Sequence, residues 1–245
     1  MIESSCDETP AVSVEDCRVL LSNVIHSQID ILTVYGGVFP EVAARSHIEM
    51  INPVINKSLA DAGLSWNDID AIAVTYAPGL VGSLLVGTLA ARTLSVLKNK
   101  PLYPIHHVEA HVYANFLTKV VDGSWNMVDG KKITGILPKE QPVFPMLALI
   151  VSGGHSQLVL FKDHGDYELL GQTQDDAVGE AFDKVAKIIG LPYPGGPSVA
   201  KAALTGDPHK YTLPKAKMSG AYDFSFSALK TAVLRAVQRE VGVDF

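Results

Sequence analysis

Two cysteines, Cys6 and Cys17, are too few for a disulfide framework, so this chain of 245 residues is expected to fold by packing alone, in a reducing cytoplasm. The first eight residues are acidic and lack the apolar stretch of a secretory signal, so none is expected. No apolar run reads as a membrane span. The longest candidate, residues 80–97, carries Arg92 and several glycines. Positive charge is also short, with 20 Lys and Arg against 26 Asp and Glu and a net charge of −6. Phosphate contacts need clustered Lys and Arg. Charge therefore speaks against nucleic-acid binding by this chain alone, unless a local basic patch or a basic partner supplies the cations.

What is present fits a loop-rich soluble α/β protein of one large or two small domains: 47% hydrophobic residues, 20 Gly and 14 Pro. Ile2 and Glu3 read as the end of a strand whose beginning is absent. Residues 11–14 and 19–25 read as a hairpin around the turn Asp16-Cys17-Arg18. After a turn at Gly36-Gly37, residues 41–62 read as a long helix that Pro53 should kink or split. Residues 70–75 read as a buried strand, and Pro78-Gly79 opens a helix to about residue 97. Strand 102–105 leads into a helix rich in histidine. Residues 119–141 turn polar and read as an inserted loop and boundary between domains 1–118 and 142–245. In the second domain, strands are expected at 144–151, 157–161 and 167–173. Helices are expected at 179–189, 198–204 and 226–239, with a rigid loop over 192–197.

His107 and His111 lie four residues apart in His106-His107-Val108-Glu109-Ala110-His111. On a helix that spacing stacks two imidazoles on one face, where they can share a divalent metal ion. The plainer reading is a helix that happens to hold three histidines. Ser152-Gly153-Gly154-His155 follows a buried strand. Its glycines either let backbone N–H groups approach a phosphate or carboxylate, or simply make a tight turn. Asp175, Asp176 and Asp183 read as ligands of ribose or magnesium, or as helix caps and a surface pair of Asp183 with Lys187. Gly195-Gly196 between prolines is a sugar-binding loop or a connector. Asp7 and Glu8 sit in a turn, either phosphate-adjacent acids or solvated ones.

In order, Ser5-Cys6-Asp7-Glu8-Thr9, Gly36-Gly37-Val38-Phe39-Pro40-Glu41, Pro78-Gly79-Leu80-Val81-Gly82-Ser83, His106-His107-Val108-Glu109-Ala110-His111, Ile150-Val151-Ser152-Gly153-Gly154-His155, Asp176-Ala177-Val178-Gly179-Glu180-Ala181-Phe182-Asp183-Lys184, Pro194-Gly195-Gly196-Pro197 and Phe226-Ser227-Ala228-Leu229-Lys230 resemble the successive signatures of the TsaD family. The resemblance runs from about Glu3 to the last residue. It implies an ASKHA (actin-like ATPase) fold of two RNase-H-like α/β domains facing a cleft, the second incomplete here. It implies transfer of a threonylcarbamoyl group from threonylcarbamoyl-AMP to N6 of the adenosine beside the anticodon of tRNA. It further implies iron or zinc on His107 and His111, and a nucleotide (threonylcarbamoyl-AMP, ATP or ADP) on Ile150, Val151, Ser152, Gly153, Gly154, Asp183 and Gly196. Asp7 and Glu8 are candidates for acid–base chemistry. Expected partners are tRNA, a shorter paralogous subunit and a small ATPase subunit, with no membrane.

Ala77 and Ala228 stand where the family has glycine. The family's later metal-binding aspartate and nucleotide-binding asparagine have no counterpart, so the chain reads as a fragment that is inactive alone. Part of the apolar face Leu229, Val233 and Val237 is then expected to lack cover. Three rival readings remain. A non-catalytic scaffold follows from truncation. An actin-like kinase or ATPase follows from fold analogy alone. A metallopeptidase, the family's older label, needs glutamate directly after the first histidine, where Val108 stands.

Overall fold

β1 (Glu8–Glu15) and β2 (Val19–Ser27) form an antiparallel pair running from Glu8↔Ser27 to Glu15↔Val19. The structure, a computed structural model, describes residues 1–17, 19–35, 37–116 and 141–242, and the backbone of 125–126 and 132–133. The chain forms two compact units, Met1–Gln141 and Pro142–Phe245. The expected boundary at 118/119 and most of the expected loop 119–141 lie outside the described residues.

In the first unit, α1 (Ile29–Thr33) leads to α2 (Pro40–Ala62). Proline suits the first turn of α2, where its missing N–H has no partner to lose. Pro53 does not split the helix, contrary to one of the two outcomes expected. An interior proline costs about 3 kcal/mol. Its neighbours Ile51, Val54 and Ile55 are all buried, each worth about 1.5–3 kcal/mol, and this packing outweighs the lost bond. Next come β3 (Ile72–Ala77), α3 (Val81–Lys98), β4 (Leu102–His106) and α4 (His107–Tyr113). A short pair, β5 (Trp125–Asn126) with β6 (Lys132–Ile133), follows.

β3 and β4 run parallel, and Ile2 joins them to the hairpin. Ile2 bridges Ala11 of β1 on one side and Val74 of β3 on the other. Its N–H donates to Ala73 O at 2.8 Å, and its carbonyl accepts Thr75 N at 3.1 Å. The stub is thus the central rung between an antiparallel and a parallel half. Its side chain lies in the core with Ala11, Val24, Ile51, Val54, Ile55, Ile72, Val74 and Ala91.

By length and composition α3 passes as a membrane span, with 18 residues and a mean hydropathy of 1.3, a point the sequence reading did not credit. At 1.5 Å per residue it reaches about 27 Å, just short of a ~30 Å hydrocarbon core. In the fold it packs on α2 and β3 and buries Ser83, Gly87 and Ala91.

The second unit opens with β7 (Met146–Val151), β8 (Ser156–Asp163) and β9 (Asp166–Gln172), antiparallel in that order. α5 (Val178–Ile188), α6 (Gly195–Ala203) and α7 (Ser227–Val241) follow. α6 starts three residues before the expected 198, so Gly195, Gly196 and Pro197 are helical rather than loop. Proline is compatible with a first turn. α5 packs on both α6 and α7. Leu229, Val233 and Val237 are half-buried.

His47 ties α2 to the start of β1. It is fully buried, with Nδ1 at 2.7 Å from Thr9 Oγ1 and Nε2 at 3.0 Å from Cys6 O. A carbonyl only accepts, so Nε2 carries the proton and Nδ1 accepts from the threonine hydroxyl. Burial holds the His47 pKa below its usual value of 6.5. The unfolded chain therefore takes up this proton first on acidification. The stabilisation is complete above about pH 6.5 and is lost as pH falls toward the lower folded pKa, by at most ~1.4 kcal/mol per pH unit. Urea midpoints measured from pH 7.5 to 5 should fall for the wild type and fall less steeply for His47→Gln. Parallel curves would remove His47 as the cause.

Candidate functional site

The histidine pair is set by a strand that becomes a helix without a loop. β4 is held along β3 up to the pair Ala77↔His106, and α4 begins at the next residue. His106 closes the junction, its Nδ1 accepting the Glu109 N–H at 3.4 Å, and its ring meets Tyr76 edge-on at 6.3 Å. It takes no part in the pair. Val108 and Val112 are buried one turn apart and fix the inner face of α4. His107 and His111, each one residue earlier, come up beside one another with ring centroids 4.5 Å apart.

Their Nε2 atoms are 3.1 Å apart. A divalent ion about 2.0–2.1 Å from each would subtend an N–metal–N angle of about 100°, between octahedral and tetrahedral values. The pair therefore fits a metal. No cluster of three His, Cys, Asp or Glu suited to an ion occurs among the described residues. The position after His107, where a peptidase would carry its glutamate, holds the buried Val108.

Two residues that sequence reasoning missed stand behind His107. Ser5 Oγ lies 3.2 Å from its Nδ1, and Glu3 Oε1 lies 3.9 Å from the same atom. Ser5 is itself held, since its carbonyl accepts Leu80 N at 2.7 Å. Gly79 comes so close that a Cβ there would sit 2.6 Å from that carbonyl. Only the glycine at 79 hinted at this contact in the sequence.

Asp7 and Glu8 follow at the start of β1. Glu8 is the first residue of the strand rather than part of a turn, and the Asp7 carbonyl accepts Gln28 N at 3.3 Å. Partial desolvation, then the Asp7 and Glu3 carboxylates, raise the Glu8 pKa above its ordinary value. Burial, reinforced by Asp7, Glu3 and Glu8, pushes the Cys6 thiol up to about 12.

In the second unit the candidates gather around the N-terminus of α5. Ser152 and His155 close the β7–β8 turn, with Ser152 N donating to His155 O at 2.8 Å and His155 N to Ser152 Oγ at 3.0 Å. Gly153 and Gly154 form the tip, with open space around both. Gly179 lies under the turn. Its N–H donates to Ser152 O at 3.2 Å, and a Cβ there would stand 2.7 Å from both that oxygen and Gly153 Cα. Ser156 Oγ accepts Val178 N at 2.9 Å and so caps α5. Ile150 is buried, so only its backbone can face a ligand, whereas the Val151 side chain is exposed.

Asp183 does not pair with Lys187. Its Oδ1 accepts Gly195 N at 2.7 Å and fixes the start of α6, leaving Gly196 in open space. Asp175 and Asp176 are braces rather than caps of α5. Asp175 Oδ1 accepts Phe226 N at 2.8 Å and Ser227 N at 3.3 Å, and its Oδ2 accepts Ser225 Oγ at 2.5 Å. Burial opposes its charge, but these hydrogen bonds outweigh it and lower its pKa. Asp176 pairs with Lys184 at 2.8 Å and Lys230 at 3.2 Å, which hold its pKa low as well.

The sequence matches the family described as "TsaD: tRNA N6-adenosine threonylcarbamoyltransferase" over residues 19–134 and 126–245. Proteins named tRNA N6-adenosine threonylcarbamoyltransferase are similar to it. That of Thermomicrobium roseum is 51% identical over 238 residues, covering 97% of this chain and 61% of the relative. Those of Symbiobacterium thermophilum and Gloeothece citriformis are 51% and 50% identical, each covering 97% of this chain and 64% of the relative. The chain thus spans less than two thirds of the length of these relatives. A solved structure titled "YeaZ from Pseudomonas aeruginosa" overlaps 98% of this chain and 92% of its own, at 13% identity and a TM-score of 0.38, too loosely to carry an argument. On sequence, this chain belongs to the TsaD family.

Proposed function

We propose that this chain carries metal-binding and nucleotide-binding parts of an acyltransferase. The enzyme moves the threonylcarbamoyl group from threonylcarbamoyl-AMP to N6 of the adenosine beside the anticodon of tRNA. The observation that carries the reading is the 3.1 Å approach of His107 Nε2 to His111 Nε2 in a chain of the TsaD family. Each unit is read as one RNase-H-like half of an ASKHA fold. In the first unit, a hairpin, a central stub and two parallel strands support that reading.

The reaction breaks the bond between the carbamoyl carbon and the AMP oxygen and joins that carbon to the adenosine amine. His107 and His111 would hold iron or zinc, which when bound supplies Lewis-acid polarisation. At the β7–β8 tip, the N–H of Ser152 is taken by His155 O, so Gly153 and Gly154 are the donors left to meet a phosphate or carboxylate oxygen. Val151 lies beside that tip, and Ile150 contributes backbone. Asp183, with Oδ1 on Gly195, has its other oxygen for a ribose hydroxyl, and Gly196 gives the sugar room. The raised pKa of Glu8 suits proton transfer, with Asp7 beside it. An adenine amine is a poor nucleophile, so positioning supplies much of the rate. With a net charge of −6, tRNA binding would draw on a basic partner. The shorter paralogue and the small ATPase subunit are the proposed partners, in the cytoplasm.

In a transfer assay with the chain extended to the length of its relatives, tRNA, threonylcarbamoyl-AMP and both partners, His107→Ala and His111→Ala should each lower turnover at least ~100-fold. Chelation should do the same, reversibly. Full turnover by the double variant would refute the reading. A separate titration addresses the glycine tip. Gly153→Val should weaken adenylate binding at least tenfold with an unchanged melting temperature, because nothing surrounds its Cβ position. Gly179→Ala should cost about 1–3 kcal/mol of stability by overpacking. Unchanged affinity in Gly153→Val would remove the tip from the site.

A further inference from the structure

We infer that Ser5 is a positioning residue whose hydroxyl accepts the Nδ1 proton that the neighbouring Glu3 carboxylate favours on His107, so that His107 presents an unprotonated Nε2 while His111 keeps its own proton on Nε2. The inference rests on the reading of His107 and His111 as metal ligands.

The two edges of the His107 ring face different surroundings. On the Nδ1 edge stands Ser5 Oγ at 3.2 Å, with the Glu3 carboxylate at 3.9 Å. A hydroxyl can give or take a hydrogen bond, so Ser5 alone does not choose the tautomer. The carboxylate does, because its negative charge favours a proton on the nitrogen facing it. Glu3 is tied to the same place, since its Oε1 also accepts the Ser5 N–H. On the other edge, His107 Nε2 and His111 Nε2 are 3.1 Å apart. Two ring nitrogens share that distance when one donates and the other accepts. With the His107 proton on Nδ1, the donor is His111 Nε2–H.

Ser5 is in turn fixed. It is 1% exposed, its carbonyl holds Leu80 N at 2.7 Å, and Gly79 packs against it more closely than any residue with a Cβ could. The hydroxyl therefore meets the imidazole from a rigid seat, and the two histidines are unequal. His107 needs no change to ligate through Nε2. His111 must first move its proton from Nε2 to Nδ1, through solvent, with no net proton released.

Long-range ¹H–¹⁵N spectra of imidazoles in the metal-free protein test the assignment directly. The wild type should show His107 protonated on Nδ1 and His111 on Nε2. Glu3→Gln should blur the His107 preference, and Ser5→Ala, which removes the hydrogen bond to Nδ1, should weaken cobalt(II) binding, followed by visible absorption, about 10–100-fold. Ser4→Ala is the control, because Ser4 is equally buried and its Oγ donates to Ser83 O at 2.8 Å, away from the ring. It should change neither the His107 spectrum nor cobalt affinity. Wild-type His107 protonated on Nε2 overturns the inference, and this arm needs no variant to fold. Equal cobalt affinity in Ser5→Ala overturns it too, as does an equal loss in Ser4→Ala. A wild type that takes up no cobalt refutes the metal reading instead, and the proton positions still decide the role of Ser5.

Discussion

The first unit depends on the backbone of residues 2–5, a stub bonded on both sides. Ile2 completes the sheet between β1 and β3, and Ser4 and Ser5 continue from it against the start of α3. From that stub the hairpin runs one way and the β3–α3–β4 unit the other. The register of the sheet therefore sets where Ser5 Oγ stands, and β4, through its pairing with β3, sets where His107 stands. A slip of one residue in either ladder would reverse which face each side chain occupies and would separate the serine from the imidazole. The site inherits its precision from main-chain hydrogen bonds rather than from its own polar contacts.

In the second unit the carboxylates do structural work that leaves the glycines free. Asp175 gathers the start of α7, Asp176 collects Lys184 and Lys230, and Asp183 seats the start of α6. Three helices are anchored around the N-terminus of α5, where Gly179 supports the β7–β8 turn. The tip at Gly153 and Gly154 then projects from a braced base, which limits the ordering a ligand would have to impose.

Much of this was legible in the sequence because it is local. The hairpin, α2, β3, β4 and α5 follow from period and turn residues, and His107 with His111 from the helical repeat. What was not legible is long-range. Nothing near Ser5 says that it meets a histidine 102 positions away. Asp175 has the sequence look of a cap for α5 but caps a segment 51 residues on. Pro53 has the look of a breaker, yet the burial around it keeps the helix whole. α6 begins early because Asp183, 12 residues earlier, holds Gly195 in helical position. In each case a tertiary partner overrode a local preference.

Burial at the end of the stub, with acids crowded beside it, also decides the chemistry of a residue with no part in the site. With its pKa pushed up to about 12, Cys6 stays a thiol at neutral pH. Peroxides and alkylating agents react with thiolates, so Cys6 is nearly inert to both. Cys17, exposed at the hairpin turn, is the cysteine such reagents meet first. Thiol oxidation would thus begin at the hairpin tip and spare the strand start that carries Asp7 and Glu8.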